Sequence, residues 1–274
     1  MNYRHAFHAG NHTEVFKHAA LVLLLDHLRQ KPKPFFVLDT HAGLGLYDLK
    51  SPEAQRTGEA EGGIGRVLAR PGRGLASYRA AVEPFTAAGR YPGSPAIAAA
   101  MMRDGDRLGA CELHPEDVEV LRGHFRRDRR VAVHHRDGYE AMAALLPPAE
   151  RRGLVFVDPP YESRDEATRL GEALAAAWKK WPTGIYACWY PIKDDTIRLA
   201  ISGALAAAGV ENAIRADFLR YPVDGERLAG GGMIFINPPW RFDEQLERVA
   251  DEWAELLALP ATGRKVVRRL GAHV

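Results

Sequence analysis

The sequence predicts an α/β protein built on an open sheet, with its ligand site outside the carboxyl ends of the strands. Three observations carry this. Leu154-Val155-Phe156-Val157 is a short apolar run, β-branched or aromatic at three positions, and it stops at Asp158-Pro159-Pro160-Tyr161, as a buried parallel strand entering a loop does. Phe35-Phe36-Val37-Leu38-Asp39 reads as a second such strand, followed by the glycine-bearing turn Thr40-His41-Ala42-Gly43-Leu44-Gly45. Arg107-Leu108-Gly109-Ala110-Cys111-Glu112 and Val131 to Asp137 are two further strands closing on acids. Open sheets of this kind bind ligands in the crevice beyond their carboxyl ends.

Each element has its own chemistry. Two prolines after Asp158 stiffen the loop and remove two backbone donors, so nearby carbonyls are left to accept from something else. A carboxylate, a carbonyl and the Tyr161 ring together suit the amino group and face of a nucleobase drawn out of its stack. On its own, the tetrapeptide is equally a strand-to-turn stop. Gly43 and Gly45 let a ligand approach the backbone, but the third glycine of the dinucleotide fingerprint is missing, so a ligand without phosphates fits better. An acid at the end of the second strand, Glu112, suits the two hydroxyls of a ribose, and Asp137 suits an adenine amino group. Any one of these acids could be a helix cap; their order along the chain argues for a site.

The arrangement resembles the S-adenosylmethionine-dependent adenine-N6 methyltransferases. Tyr3-Arg4-His5, Phe7-His8-Ala9-Gly10-Asn11-His12, Lys17-His18, Tyr91-Pro92-Gly93-Ser94-Pro95, Glu112-Leu113-His114, Asp137-Gly138 and Asn237-Pro238-Pro239-Trp240 resemble one branch, the bacterial large-subunit ribosomal RNA adenine-N6 methyltransferase J family. The resemblance covers nearly the whole chain. It implies a Rossmann-like class I methyltransferase sheet, mostly parallel with an antiparallel edge, and a small helical insertion. It implies S-adenosylmethionine as methyl donor, contacted by His18, His41, Ser94, Glu112, Asp137 and Gly138. It makes Asp158 the catalytic acceptor, with the Pro159 carbonyl and the Tyr161 ring beside it, and places Tyr3, His5 and Lys17 at the substrate border. The partner it implies is large-subunit ribosomal RNA.

Other assignments compete for the same residues. Asn237-Pro238-Pro239-Trp240 repeats the acceptor-Pro-Pro-aromatic pattern after the run Met233-Ile234-Phe235-Ile236; its place on a late strand near the sheet's edge gives it a structural role. His5, His8, His12 and His18 lack zinc-finger intervals. Cys111 and Cys188 lie in apparent strands without a Pro-Cys loop, as buried small hydrophobes do. A DNA adenine methyltransferase, a non-catalytic RNA-binding protein on the same fold and a histidine-metal hydrolase are the alternatives.

The 274 residues suffice for a full core, and the two cysteines cannot form a disulfide framework, so a reducing cytoplasm is expected. The apolar run from Ala19 to Leu25 is too short for a bilayer; a monomer without a membrane partner is expected. It belongs to a helix from about Thr13 to Arg29 capped by Asn11 or Thr13. The net charge of +2 confines any RNA contact to local patches. Candidates are the arginines between Arg122 and Arg136 and those from Arg264 to Arg269. More than seventy residues part Asp39 from Glu112. The domain reading is therefore a methyltransferase domain over 1–47 and 106–274, with a helical insertion over 48–105. That insertion, with a helix from about Leu75 to Ala88, is expected to lie over the catalytic face. Beyond Tyr161, helices near Asp165 to Trp178 and Asp194 to Ala208, a strand over Gly184 to Trp189 and two final strands complete the sheet.

Overall fold

The computed structural model describes residues 9–270 apart from residues 71 and 261. In chain order the elements are α1 (His12–Arg29), β1 (Phe36–Asp39), β2 (Leu46–Asp48), α2 (Pro52–Thr57), α3 (Glu59–Gly62), α4 (Ile64–Ala69), α5 (Ala76–Thr86), β3 (Arg90–Pro92), α6 (Ser94–Met101), β4 (Arg107–Glu112) and α7 (Pro115–Phe125). Then come β5 (Val131–His135), α8 (Gly138–Leu145), β6 (Gly153–Val157), α9 (Glu166–Lys180), β7 (Ile185–Ile192), α10 (Thr196–Ala207), β8 (Ala213–Leu219), β9 (Gly230–Ile236), α11 (Phe242–Leu256) and β10 (Arg264–Leu270). Eight strands form one sheet in the order β10-β8-β9-β7-β6-β1-β4-β5. The pairs from β5 to β7 are parallel, and the pairs of β9, β8 and β10 are antiparallel. This is the mostly parallel α/β sheet with an antiparallel edge that the family resemblance implies.

Helices cover both faces. One core gathers α1, α6, α11 and Leu121 of α7 against the sheet, and the other gathers α8, α9 and α10. Helix α1 shows why its sequence is apolar almost all round: it is packed against α5, α6 and α11 as well as against β6 and β9, so even Leu21, Val22, Leu24 and Leu25 are fully buried. Asn11 is its cap, accepting from the Thr13 and Glu14 amides at 3.0 and 2.9 Å.

The connections set the crevice. From β1 the chain crosses to β4 and β5 on one side, then returns to place β6 on the other side of β1, so the crevice opens between the carboxyl ends of β1 and β6. Helix α6, packed on β1 and β4, is the crossover between them. Helices α3 to α5 pack on one another and on α1. At their entry Gly63 lies against the Gly10 and Asn11 backbone, where a Cβ would come within 1.9 Å of the Gly10 oxygen. They stand beside α1 and not across the crevice; from residues 48–105 only Gly93 and Ser94 reach its wall.

Three further expectations are corrected. Three strands, not two, follow α10, because the basic run from Arg264 is the edge strand β10, whose charges suit an edge. Strand β9 is interior, between β7 and β8, since its all-apolar burial lets it pack on both faces. Strand β5 ends at His135, two residues before Asp137.

Candidate active site

The parallel register aligns the acids along one rim. Asp39 ends β1 and pairs with Ala110 of β4 and Phe156 of β6, while Glu112 ends β4 opposite His135. Asp158 is the first residue past β6 and Asp137 the second past β5. Glu112, Asp137 and Asp158 border a cleft of about 580 Å³, with Asp39 buried beside it, and the cleft wall includes every predicted site residue among those described: Lys17, His18, His41, Ser94, Glu112, Asp137, Gly138, Asp158, Pro159 and Tyr161. Tyr3 and His5 lie outside the described residues.

The floor is built from the first turns of α1. Residues 14, 17 and 18 share a helix face by their spacing. The Lys17 ammonium is buried and lies between two carboxylates, at 3.1 Å from Glu14 Oε1 and in a direct hydrogen bond to Asp158 Oδ2, with the Trp189 ring 5.5 Å away. A buried cation needs such partners. Glu14 also accepts from the Gly10 amide at 2.9 Å. His18 Nδ1 is 2.8 Å from the Tyr91 hydroxyl, itself 3.0 Å from that of Tyr78. The pair Glu14 and Lys17 therefore fixes how Asp158 faces the cleft.

Glu112 ties the loops after β1 and β4 together. Its Oε2 accepts from the Gly43 amide at 2.9 Å and its Oε1 from the His114 amide at 2.7 Å, and burial raises its carboxyl above the ordinary range. Asp137 is a helix cap that also lies on the cleft wall. Its Oδ1 accepts from the Tyr139 and Glu140 amides at 2.8 and 3.2 Å, while Oδ2 lies 3.5 Å from Arg169 Nη2. Gly138 must be glycine for α8 to start this close to β1: a Cβ there would meet the Thr40 carbonyl oxygen at 2.4 Å.

Tyr161 takes a left-handed backbone, φ 53°, which a bulky residue adopts only when its surroundings hold it there. Its hydroxyl donates to the Trp189 carbonyl at 2.7 Å, and the two rings meet edge to face at 5.9 Å. Pro159 is buried. The second Pro-Pro motif is placed elsewhere. Because β9 runs antiparallel to β7, its carboxyl end lies on the opposite rim, and Asn237 Nδ2 donates to the carbonyls of Pro182 and Gly184 at 2.7 and 2.8 Å. Its role is structural, for reasons of strand direction and not of distance from an edge.

Two neighbours at the carboxyl end of β1, joined by a bond from the His41 amide to Asp39 Oδ1, titrate in opposite senses. Burial pushes Asp39 up to about 7, and burial lowers His41 to about 4. A raised acid contributes stability that is full below about 3.8 and is lost as pH rises through 7. A lowered histidine contributes stability that is full above 6.5 and is lost as pH falls through 4. The two oppose each other across that window. Asp39→Asn should remove the first, so its urea-unfolding free energy should rise from pH 4.5 to 6.5 more steeply than the wild type's. Parallel curves would show that Asp39 does not carry this proton.

Sequence reasoning passed over Glu14, Tyr139, Glu166, Arg169 and Trp189, all on the wall. Trp189 was available from register, since Cys188 pairs with Val157 and the next residue must flank Asp158. Tyr139 and Glu166 bond each other across the mouth, and Arg169 lies over the Tyr139 ring at 5.0 Å; no spacing announces a pair 27 residues apart. Among the described residues no three His, Cys, Asp or Glu side chains are grouped to hold a metal. Burial pushes both Cys111 and Cys188 up to about 12, so neither is a ready nucleophile.

Comparison with known proteins agrees with this geometry. Residues 32–270 match the family described as ribosomal RNA large subunit methyltransferase D, RlmJ. The chain belongs to that family. It is 40% identical over 275 residues to the ribosomal RNA large subunit methyltransferase J of Escherichia coli (strain K12), covering 97% of this chain and 98% of that protein. It is 38% identical to the Haemophilus influenzae protein of the same name, covering 96% of each. A crystal structure of a Legionella pneumophila protein is similar at a TM-score of 0.88 and 32% identity, covering 97% of this chain and 99% of that one.

Proposed function

We propose that the protein transfers a methyl group from S-adenosylmethionine to N6 of an adenine in large-subunit ribosomal RNA. The observation that carries the reading is the juxtaposition of the Asp158-Pro159-Pro160-Tyr161 loop with the ordered acids Asp39, Glu112 and Asp137 along one rim, in a member of a ribosomal RNA methyltransferase family.

The residues fit the donor. Glu112 keeps lone pairs beyond its two backbone amides for ribose hydroxyls. Asp137 Oδ2, paired with Arg169 at 3.5 Å, keeps acceptor capacity for an adenine amino group. His18, His41 and Ser94 complete this side of the cleft. When bound, the donor supplies an electrophilic methyl on a sulfonium.

The protein's own work falls on the acceptor. An adenine amino nitrogen is a poor nucleophile because its lone pair is spread into the ring. Asp158 Oδ1 and the Pro159 carbonyl, to which no described residue donates, would accept its two hydrogens and turn the lone pair out of the ring plane. A carboxylate is too weak a base to remove the proton beforehand, so Asp158 takes it as positive charge develops. Lys17 holds Oδ2 and so leaves Oδ1 toward the base, while Tyr161, anchored by Trp189, offers a stacking face. Tyr3 and His5 border the RNA side in this reading, residues 48–105 form an added helical subdomain, and the protein is a cytoplasmic monomer. No helix among the described residues is long and apolar enough to cross a membrane.

Nucleoside analysis of large-subunit ribosomal RNA from cells lacking the gene tests this. One N6-methyladenosine should disappear and return with the wild-type chain but not with Asp158→Ala. An unchanged nucleoside profile would contradict the assignment.

A further inference from the structure

The Asn237-Pro238-Pro239-Trp240 motif is not explained by catalysis. Its aromatic residue is 85% exposed, the most exposed of the large hydrophobics among the described residues, on the rim of the sheet away from the cleft. Yet the loop is firmly held. Asn237 and Arg241 both take left-handed backbones, at φ 53° and 58°. Two prolines stand between Asn237 and Trp240, and the Asn237 amide is bonded to two carbonyls of the loop before β7. Strained backbone is retained where the surroundings enforce it, often for function. Here it holds an indole out in water, where the ring gains nothing from burial.

The surroundings are cationic. Trp240 borders a shallow groove with Leu23, Arg73, Arg241 and Arg248, and Glu244 is the acid there. Glu244 is bonded to Arg241 at 2.7 Å and reaches Arg248 only at 3.8 Å. Three guanidinium groups against Glu244, with Glu252 held beside the groove by the Gly74 and Leu75 amides, leave an excess of positive charge beside a rigid aromatic face. That combination suits a nucleic-acid single strand, with the base on the ring and the phosphates on the arginines. A protein partner of ordinary surface would find the arginines poorly matched.

We propose that Trp240, with Arg73 and Arg248, is a second RNA-contact surface that stacks a single-stranded base of the substrate ribosomal RNA outside the catalytic cleft. The proposal rests on the ribosomal RNA reading above. It places substrate affinity partly on the far rim, on the order of 20 Å from Asp158, the height of a strand of five or six residues.

The test is filter binding of protein-free large-subunit ribosomal RNA, with methyl-transfer rate at saturating RNA and donor affinity measured on the same proteins. Trp240→Ala should weaken RNA binding about tenfold, within the range for loss of one base–aromatic stack. Trp240→Phe should restore most of it. Arg73→Ala combined with Arg248→Ala should weaken binding and flatten its salt dependence. In all three, rate at saturation and donor affinity should stay at wild-type values. Unchanged RNA affinity in Trp240→Ala would overturn the proposal, as would a loss accompanied by an equal loss of donor affinity, which signals a damaged fold. A wild-type protein that neither bound nor methylated the RNA would overturn both this surface and the substrate reading.

Discussion

Asp158→Ala should lower methyl transfer by about 10³-fold, the middle of the range for a positioned acid-base group, while donor affinity stays within about twofold. The substitution removes the acceptor that draws the amino hydrogens out of the ring plane, and the carboxylate that shares Lys17 with it does not take its place: Glu14 is engaged by Lys17 and the Gly10 amide. It also deprives the buried Lys17 of one of its two carboxylates. Some loss of stability should therefore accompany the loss of rate, and Asp158→Asn separates the two. The amide keeps the shape and an acceptor oxygen but cannot take the proton, so it should recover the melting temperature more fully than the rate. Single-turnover kinetics beside calorimetric donor binding reads both. A near-normal rate in Asp158→Ala would remove it from the reaction.

Glu112→Ala should weaken donor binding by at least about tenfold, since a hydrogen bond to a charged group contributes about 1.5 to 3 kcal/mol. The geometry argues for the upper part of that range. Besides facing the cleft, the carboxylate accepts from Gly43 and His114, so its loss frees the glycine turn after β1 together with the loop after β4. Glu112→Gln keeps one acceptor oxygen and should fall between the two. Titration of the donor into each protein decides this. Equal affinity in Glu112→Ala and wild type would place the ribose elsewhere.

What could be read from the sequence follows from the range of the interactions concerned. The strand β4 was legible to the residue, Arg107 to Glu112, and the cap of α1 to within Asn11 or Thr13, because apolar runs and caps are local signals. The strand-end acids were legible for the same reason: an acid closing an apolar run is placed at the strand's carboxyl end, whether it is exposed there or buried as Asp39 and Glu112 are. Strand direction was not. That β9 runs antiparallel in the interior, carrying Asn237 to the far rim, depends on pairing with β7 across some forty residues. Strand β10 was hidden because Arg264 to Leu270 has no alternating apolar face and, as an edge, needs little of one. The Lys17 contact to Asp158 spans 141 residues; the position of Lys17 was legible only as the face of a helix aimed at the site. Asp137 shows where a local reading stops: the cap is made by Oδ1, while the Arg169 partner of Oδ2 lies 32 residues on and no spacing announces it.

The measurement that bears most directly on the account is transfer of labelled methyl from S-adenosylmethionine to protein-free large-subunit ribosomal RNA lacking its own adenine-N6 methylation, with duplex DNA in parallel. Label recovered as N6-methyladenosine in the RNA alone is the expected result. Label in DNA alone, or in another nucleoside of the RNA, would contradict it.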